Sequence, residues 1–277
     1  MIADLHMHST SSDGSNSPSE VVRLAKEHNL DCISLTDHDT INGLCEALEA
    51  SKKYNIELIP GIELNSFNEE QEVHILGYFL NYKDKNLLVK LNNIIDLRLK
   101  RAEEILKKLN NIGIQINLED ILEFTNKNYI GRPHIARALI KKKYVTTVKE
   151  AFEKYIGEDA PAYVKSYRLN TYEAIELLKN NGAVPVLAHP GLLKNDKIIK
   201  DLVNHGLMGI EVYHSKHTQD DINYYLEIAK SFNLLITGGS DFHGIEVDGR
   251  DLLGSIKLDY SYVKLLKAKA KNFVEIC

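Results

Sequence analysis

Histidines and acids recur along this chain at positions where they could converge on metal ions. His6-Met7-His8 closes a short strand-like run, and because side chains alternate along a strand, positions 6 and 8 point the same way and can share one cation. The placement then repeats. Asp13 lies in the following loop, His38 sits within Thr36-Asp37-His38-Asp39, and Glu63 follows Leu58-Ile59-Pro60-Gly61-Ile62. His74 lies within a further strand, His189 follows Val184 to Ala188, and Asp241 and His243 follow Leu234 to Thr237. Taken singly, each has an ordinary explanation: an isolated H-x-H is more often a surface feature, and an isolated buried Glu is usually salt-bridged. As a set, six of the eleven histidines and three acids are poorly explained by core packing, because buried ionisable groups need partners or metals.

Imidazole and carboxylate ligands without thiolate suit Mn²⁺, Zn²⁺ or Fe²⁺ better than Mg²⁺ or Ca²⁺, and Mn²⁺ is the expected ion. Nine candidates exceed what one ion of about four to six ligands takes. Two or three divalent ions are therefore expected, with carboxylates such as Glu63 or Asp241 bridging them. Closely spaced cations clamp an in-line displacement and generate hydroxide near neutral pH. The chemistry that benefits most is phosphoester hydrolysis by attack of a metal-bridging hydroxide on phosphorus.

The elements that must position these residues show in the hydrophobic pattern. Short apolar runs at Ile2 to Leu5, Cys32 to Leu35, Glu57 to Ile62, Val73 to Phe79, Val184 to Ala188, Met208 to Val212 and Leu234 to Thr237 read as strands. Helical segments such as Pro18 to Asn29, Thr40 to Tyr54 and Thr171 to Asn181 separate them. Alternation of this kind predicts an α/β fold with a parallel sheet, open or closed into a barrel, and in a barrel the C-terminal strand ends open on one face. From about Lys85 to Pro161 the pattern turns long, charged and helical, with Ile94, Leu97, Ile105, Leu106 and Leu109 as an apolar stripe. Residues 1–84 and 162–277 are thus expected to form the barrel, and residues 85–161 a helical insertion over its mouth.

With 277 residues and 44% hydrophobic content, the chain can bury a large core without staples. Cys32, Cys45 and Cys277 show no C-x-x-C spacing, so neither a disulfide framework nor a thiolate zinc site is expected. The sequence opens directly on a strand-like run and contains no long apolar span, which predicts a cytoplasmic protein without membrane attachment. The net charge of −5 disfavours an extended duplex-binding surface, although carboxylates sitting on cations would leave the functional end able to take a small anionic substrate. Nothing in the sequence calls for an obligate protein partner.

Outside the nine candidates, Gly131-Arg132-Pro133-His134 reads as a turn or helix start inside the insertion. Arg132 offers a bidentate fork for phosphate and His134 a further hydrogen bond. His214 and His217 follow a strand and are candidates for protonating a leaving group, and Asp241 joins His214 as a candidate for the chemistry itself. Lys165 and Arg168 could attract a second phosphate, though a solvated charged turn explains them as well. His28 and His205 sit at helix ends and read as structural.

The runs His6-x-His8, Ser12-Asp13-Gly14, Thr36-Asp37-His38-Asp39, Gly61-Ile62-Glu63, Val73-His74-Ile75-Leu76-Gly77-Tyr78, Ala188-His189-Pro190 and Gly239-Ser240-Asp241-Phe242-His243 together resemble the PHP (polymerase and histidinol phosphatase) family over nearly the whole chain. The resemblance implies a distorted (β/α)₇ barrel with a trinuclear metal site. It assigns His6, His8, Glu63 and Asp241 to one ion, Asp13, His38 and His243 to a second, and Glu63, bridging to His74 and His189, to a third. Asp13, the helical insertion, and Gly131-Arg132-Pro133-His134 followed by Pro161-Ala162-Tyr163-Val164 resemble the branch acting on nucleoside 3′,5′-bisphosphates and 5′-phosphorylated short RNA. The expected partner is accordingly a small phosphorylated substrate, a nucleotide or a short RNA 5′ end. Histidinol-phosphate phosphatases are the nearest alternative. Amidohydrolase-type C–N hydrolysis would need a bridging lysine that no strand end supplies, and a non-catalytic scaffold would not need the full ligand set.

Overall fold

A computed structural model describes residues 1–68, 71–125, 129–165, 169–245 and 249–270. The wall of the fold consists of β1 (Ile2–Met7), β2 (Cys32–Leu35), β3 (Glu57–Asn68), β4 (Gln71–Tyr78), β6 (Val184–Leu187), β7 (Gly209–His214) and β8 (Leu235–Gly239), with β5 (Leu169–Asn170) beside β3 and β9 (Leu258–Asp259) beside β1. The hydrogen-bonded order is β8-β7-β6-β4-β3-β2-β1-β9. The residues after β8 return to β1, where Asp241 N–H donates to the His6 carbonyl at 2.9 Å and His8 N–H to the Phe242 carbonyl at 2.8 Å. These bonds bring the sheet round into the nearly closed, distorted seven-stranded barrel that the family resemblance implied. Strands such as Cys-Ile-Ser-Leu of β2 are buried at every position because side chains pack inside the barrel and helices cover its outside.

The sheet is not all-parallel, as the alternating pattern had suggested. β4 runs antiparallel to both β3 and β6. The reason is the connection: two residues separate Asn68 from Gln71, whereas a parallel neighbour needs a crossover of about a dozen residues. β3 and β4 therefore form a long hairpin in register from Gly61↔Tyr78 to Asn68↔Gln71.

The helices begin and end for local reasons. α1 (Pro18–Glu27) is opened by a Ser17/Glu20 capping box with Pro18 in its first turn, and α2 (Leu44–Tyr54) stops at Asn55 in the left-handed region. Further along, α7 (Thr171–Asn181) stops at Gly182 with φ 86°. The sequence placed the first two helix boundaries too widely. Asn29, at φ 60°, already turns the chain towards β2, and Thr40 to Gly43 precede the first regular turn of α2.

The 27-residue α3 (Lys85–Asn111), capped by Asp84, spans two cores. Its Leu87 and Leu91 pack into the barrel cluster, while Ala102, Ile105, Leu106 and Leu109 pack with Ile121, Ile135, Leu139 and Ile156 into a second one. That second core is built from α3, α4 (Leu118–Leu122), α5 (Arg132–Lys141), α6 (Val148–Ala151) and a π-helical turn at Phe152–Ile156. Among the described residues no helix is long and apolar enough to cross a membrane.

Gly239 shows how closely the barrel seam is packed. A Cβ there would stand 2.3 Å from the Cβ and 2.4 Å from the backbone nitrogen of His6. Gly239→Ala is expected to lower the free energy of unfolding by about 1–3 kcal/mol through overpacking, read as a reduced urea midpoint. An unchanged midpoint would show that β8 does not approach β1 this closely.

Candidate metal centre

Glu63 lies on β3 with its side chain fully buried, and five imidazoles surround it. Its Oε2 is 3.2 Å from His6 Nε2, 3.2 Å from His8 Nε2 and 3.1 Å from His38 Nδ1, while its Oε1 is 2.8 Å from His74 Nδ1 and 3.0 Å from His189 Nε2. Asp241 is a second pivot. Its Oδ1 is 3.4 Å from His6 Nε2, 3.2 Å from His8 Nε2 and 3.6 Å from His243 Nδ1. Asp13 is the third, 3.4 Å from His243 Nε2 and 3.9 Å from His38 Nε2.

The nine residues expected from the sequence thus meet at one end of the barrel, drawn from six strands and the loops that follow them. His74 joins them although it stands near the start of its strand. Because β4 runs backwards, its early residues lie at the same end as the C-termini of its parallel neighbours.

The donor set fits divalent cations. Within 4.8 Å of one another lie one ligand atom each from His6, His8, Glu63 and Asp241, and likewise from His8, Asp13, His38 and His243, and from His38, Glu63 and His74. Both ring nitrogens of His8, Nδ1 of His38, Nδ1 of His189 and Oδ1 of Asp13 are buried without a hydrogen bond. Each such atom costs about 1–3 kcal/mol unless something other than protein engages it. The imidazoles crowd together, His8 standing 4.1 Å from His243 and 4.4 Å from His38 between ring centroids, with oxygen and nitrogen but no sulfur presented. That chemistry matches Mn²⁺, Zn²⁺ or Fe²⁺.

Electrostatics keep the acids ionised. Burial alone would raise the Glu63 carboxyl, but His38, His6 and His74 prevail and hold it well below the usual range. The same balance, burial against surrounding histidines, holds Asp13 and Asp241 well below theirs. Burial would lower His74 and His243, yet Glu63 raises the first and Asp13 with Asp241 the second, each to about 10. His38 is pushed down to about 4 by burial, which Glu63 and Asp13 only partly offset. Burial would lower His6 as well, yet Glu211, Glu63 and Asp241 hold it well above its usual range.

Three non-glycine residues here adopt left-handed backbone: Asp39 at φ 52°, His189 at φ 27° and Asp241 at φ 56°. Such conformations cost on the order of 1–3 kcal/mol each and persist where surrounding contacts impose them. The contacts are visible. Asp39 accepts from Asn65 N at 2.8 Å and Nδ2 at 2.9 Å and is gripped by the Arg98 guanidinium. Glu211 accepts from His189 N at 2.8 Å. Asp37 takes hydrogen bonds from Ser9 N (2.8 Å), Ser9 Oγ (2.7 Å) and Ser12 Oγ (2.6 Å), which fixes the loop carrying Asp13.

The remaining candidates are placed differently from one another. His214 is buried, its Nδ1 accepts from Lys216 N at 3.2 Å, and its Nε2 is 3.4 Å from Asp241 Oδ2, so the neutral ring carries its proton on Nε2. His217 uses both nitrogens structurally, donating from Nδ1 to the Val212 carbonyl at 2.8 Å and accepting at Nε2 from Gly191 N at 3.1 Å. Gly131 caps α5 and donates from its nitrogen to His134 Nδ1 at 3.1 Å, leaving His134 Nε2–H buried without a hydrogen bond. The Arg132 guanidinium lies 5.2 Å over the Phe152 ring. Lys165 is exposed, and Arg168 lies outside the described residues.

Sequence reasoning missed the arginines that reach the centre. Arg98 of α3 pairs with Asp39 and stacks 4.5 Å from the Tyr129 ring centroid, and Arg137 of α5 donates to the Asp13 carbonyl at 3.2 Å. Nothing in a charged helical stretch distinguishes them. Glu211 was missed too, although an acid inside the apolar run Ile210-Glu211-Val212 signals a buried, partnered carboxylate.

The PHP domain profile matches residues 4–182. The chain is 36% identical over 246 residues to a 5′-3′ exoribonuclease of Haemophilus influenzae, covering 87% of this chain and 89% of the relative. It is 31% identical over 255 residues to a 3′,5′-nucleoside bisphosphate phosphatase of Chromobacterium violaceum, with 90% of each chain covered. A solved structure from Bifidobacterium adolescentis, described by inference as a metal-dependent phosphoesterase, superposes with a TM-score of 0.88 at 30% identity, covering 98% of this chain and 96% of that one.

Mn²⁺ added to chelator-stripped protein is expected to raise Tm, since saturation at 100 times Kd stabilises by about 2.7 kcal/mol. Glu63→Gln, which keeps the volume and removes the charge facing five imidazoles, is expected to abolish that rise. A Tm that responds equally in both proteins would remove Glu63 from the centre.

Proposed function

This chain belongs to the PHP domain family and is a metal-dependent phosphoesterase, a hydrolase of phosphoric ester bonds, and from that premise we propose that it acts on a nucleoside 3′,5′-bisphosphate or on the 5′ end of short phosphorylated RNA. The observation that carries the reading is the convergence of five imidazoles on Glu63, which serves several cations at once far better than it serves packing. The proposed ions are Mn²⁺, three in number. His6, His8, Glu63 and Asp241 would hold one, Asp13, His38 and His243 a second, and Glu63 with His74 and His189 a third. Bound there, the ions supply Lewis acidity and a nucleophile at neutral pH.

The protein's own groups supply the rest. Asp241 lies between His6, His8 and His214, where it can orient the attacking oxygen, and His214 Nε2–H is the proposed donor to the leaving group. His134 Nε2–H is the proposed donor to a phosphate oxygen. Of the guanidiniums, Arg98 and Arg137 stand nearer the centre than Arg132 and are better placed to attract the substrate's second phosphate. Lys216, 3.5 Å from Asp241, adds positive charge at the rim. The proposal gives residues 85–161 the part of a cover over the mouth that reads the remainder of the nucleotide, because α3 and α5 carry those arginines. A small phosphorylated substrate fits the −5 net charge better than an extended duplex does, and a cytoplasmic setting with no obligate protein partner completes the reading.

Phosphate release from adenosine 3′,5′-bisphosphate and histidinol phosphate, and nucleoside monophosphate release from a 5′-phosphorylated oligoribonucleotide, would be measured with Mn²⁺-loaded protein and a chelated control. Metal-dependent turnover of the bisphosphate or the oligonucleotide is expected, falling by about 10²-fold or more when His38 is replaced by Ala. Turnover of histidinol phosphate alone would overturn the nucleotide assignment.

A further inference from the structure

We propose that Glu211 is a positioning residue that couples two of the metal-ligand sets, by fixing the tautomer of His6 and the backbone of His189 with one carboxylate. The inference rests on the ligand assignment proposed above. Glu211 stands in the middle of β7 with its side chain fully buried, and each of its bonds goes to a ligand or its backbone. Its Oε1 and Oε2 are 3.0 and 3.2 Å from His6 Nδ1, and Oε2 also accepts from His189 N at 2.8 Å.

An ionised carboxylate only accepts, so His6 Nδ1 must carry the proton. In the neutral ring, the form that can bind a cation, the lone pair is thereby left on Nε2, the nitrogen that faces Glu63 at 3.2 Å and Asp241 at 3.4 Å. The neighbouring bond acts on a different element. His189 sits at φ 27°, a conformation that a side-chain-bearing residue keeps only when held, and the N–H taken by Glu211 holds it while its Nε2 stands 3.0 Å from Glu63 Oε1. His6 and His189 belong to different ligand sets, so loss of one carboxylate disturbs two.

The same geometry argues against a further cation between His6, Glu211 and His214, whose ligand atoms also lie within 4.8 Å of one another. His6 Nδ1 is already a donor there, and His214 Nδ1 accepts from Lys216 N, which leaves the proton on the nitrogen nearer the centre. Neither ring offers a lone pair to a shared ion in that space.

The experiment is Mn²⁺ titration calorimetry on the chelator-stripped full chain, wild type against Glu211→Gln, with metal content by mass spectrometry and folding by circular dichroism. A glutamine replaces one of the two carboxylate oxygens by an NH₂ donor, which cannot accept from both His6 Nδ1–H and His189 N–H as the two oxygens do and sets a donor against a donor. Two binding steps are expected to weaken together, each by about 10–100-fold, at unchanged secondary structure, and total stoichiometry in excess Mn²⁺ is expected to stay that of the wild type. An unchanged isotherm, or weakening of a single step, overturns the coupling. Loss of one whole ion overturns it in favour of Glu211 as a ligand. Should Glu211→Gln not fold, Glu211→Asp is titrated instead and the same two-step weakening is required. Nitrogen-15 histidine spectra of metal-free wild type provide a second readout, in which a proton on His6 Nε2 in place of Nδ1 overturns the proposal. Wild type that binds no Mn²⁺ would overturn the ligand assignment itself, a result distinct from any of these.

Discussion

A carboxylate buried away from water is stable as an anion only if positive charge or donors surround it, and at Glu63 five imidazole nitrogens do so within 3.2 Å. Much of the molecule can be understood as the means of making that arrangement hold. The imidazoles come from β1 and the residue after it, from the loop after β2, from β4 and from the loop after β6, so the barrel must bring its strands round far enough for residues 6 and 189 to face the same oxygen pair. The seam between β1 and the end of β8 is where this is tightest. The residue opposite His6 there is Gly239, with room for no side chain.

Around the cluster, a ring of buried acids that are not candidate ligands fixes the candidates in place. Asp37 ties down the loop of Asp13, Asp39 joins the end of β2 to β3 and to α3, and Glu211 joins β1 to the loop after β6. Each takes several hydrogen bonds, as a buried anion must. The strained backbone at Asp39 and His189 lies where these bonds converge, which is where a preorganised site stores it.

The second core is attached by the same means. α3 packs Leu87 and Leu91 into the barrel and Ile105 and Leu109 into its own core, and between these two anchorages Arg98 reaches Asp39.

Read alone, the sequence determined the alternation of strands and helices, the helical stretch after Lys85, and the residues whose chemistry matters, because side-chain periodicity and ligand type are local properties. It also carried the motifs by which the family is recognised. Strand direction at β4 was not local in that sense: it follows from a two-residue connection whose meaning depends on which strand is the neighbour. Partnership was decided only in three dimensions. Arg132, read as the phosphate contact, is engaged by Phe152, whereas Arg98 and Arg137, indistinguishable from other helix-surface cations in the sequence, reach Asp39 and the Asp13 loop. His217 and His214 look alike as strand-following histidines, and only their hydrogen bonds separate a ring with both nitrogens occupied from one with a proton facing Asp241. A charge shows in the sequence, but the group it faces is set by long-range packing.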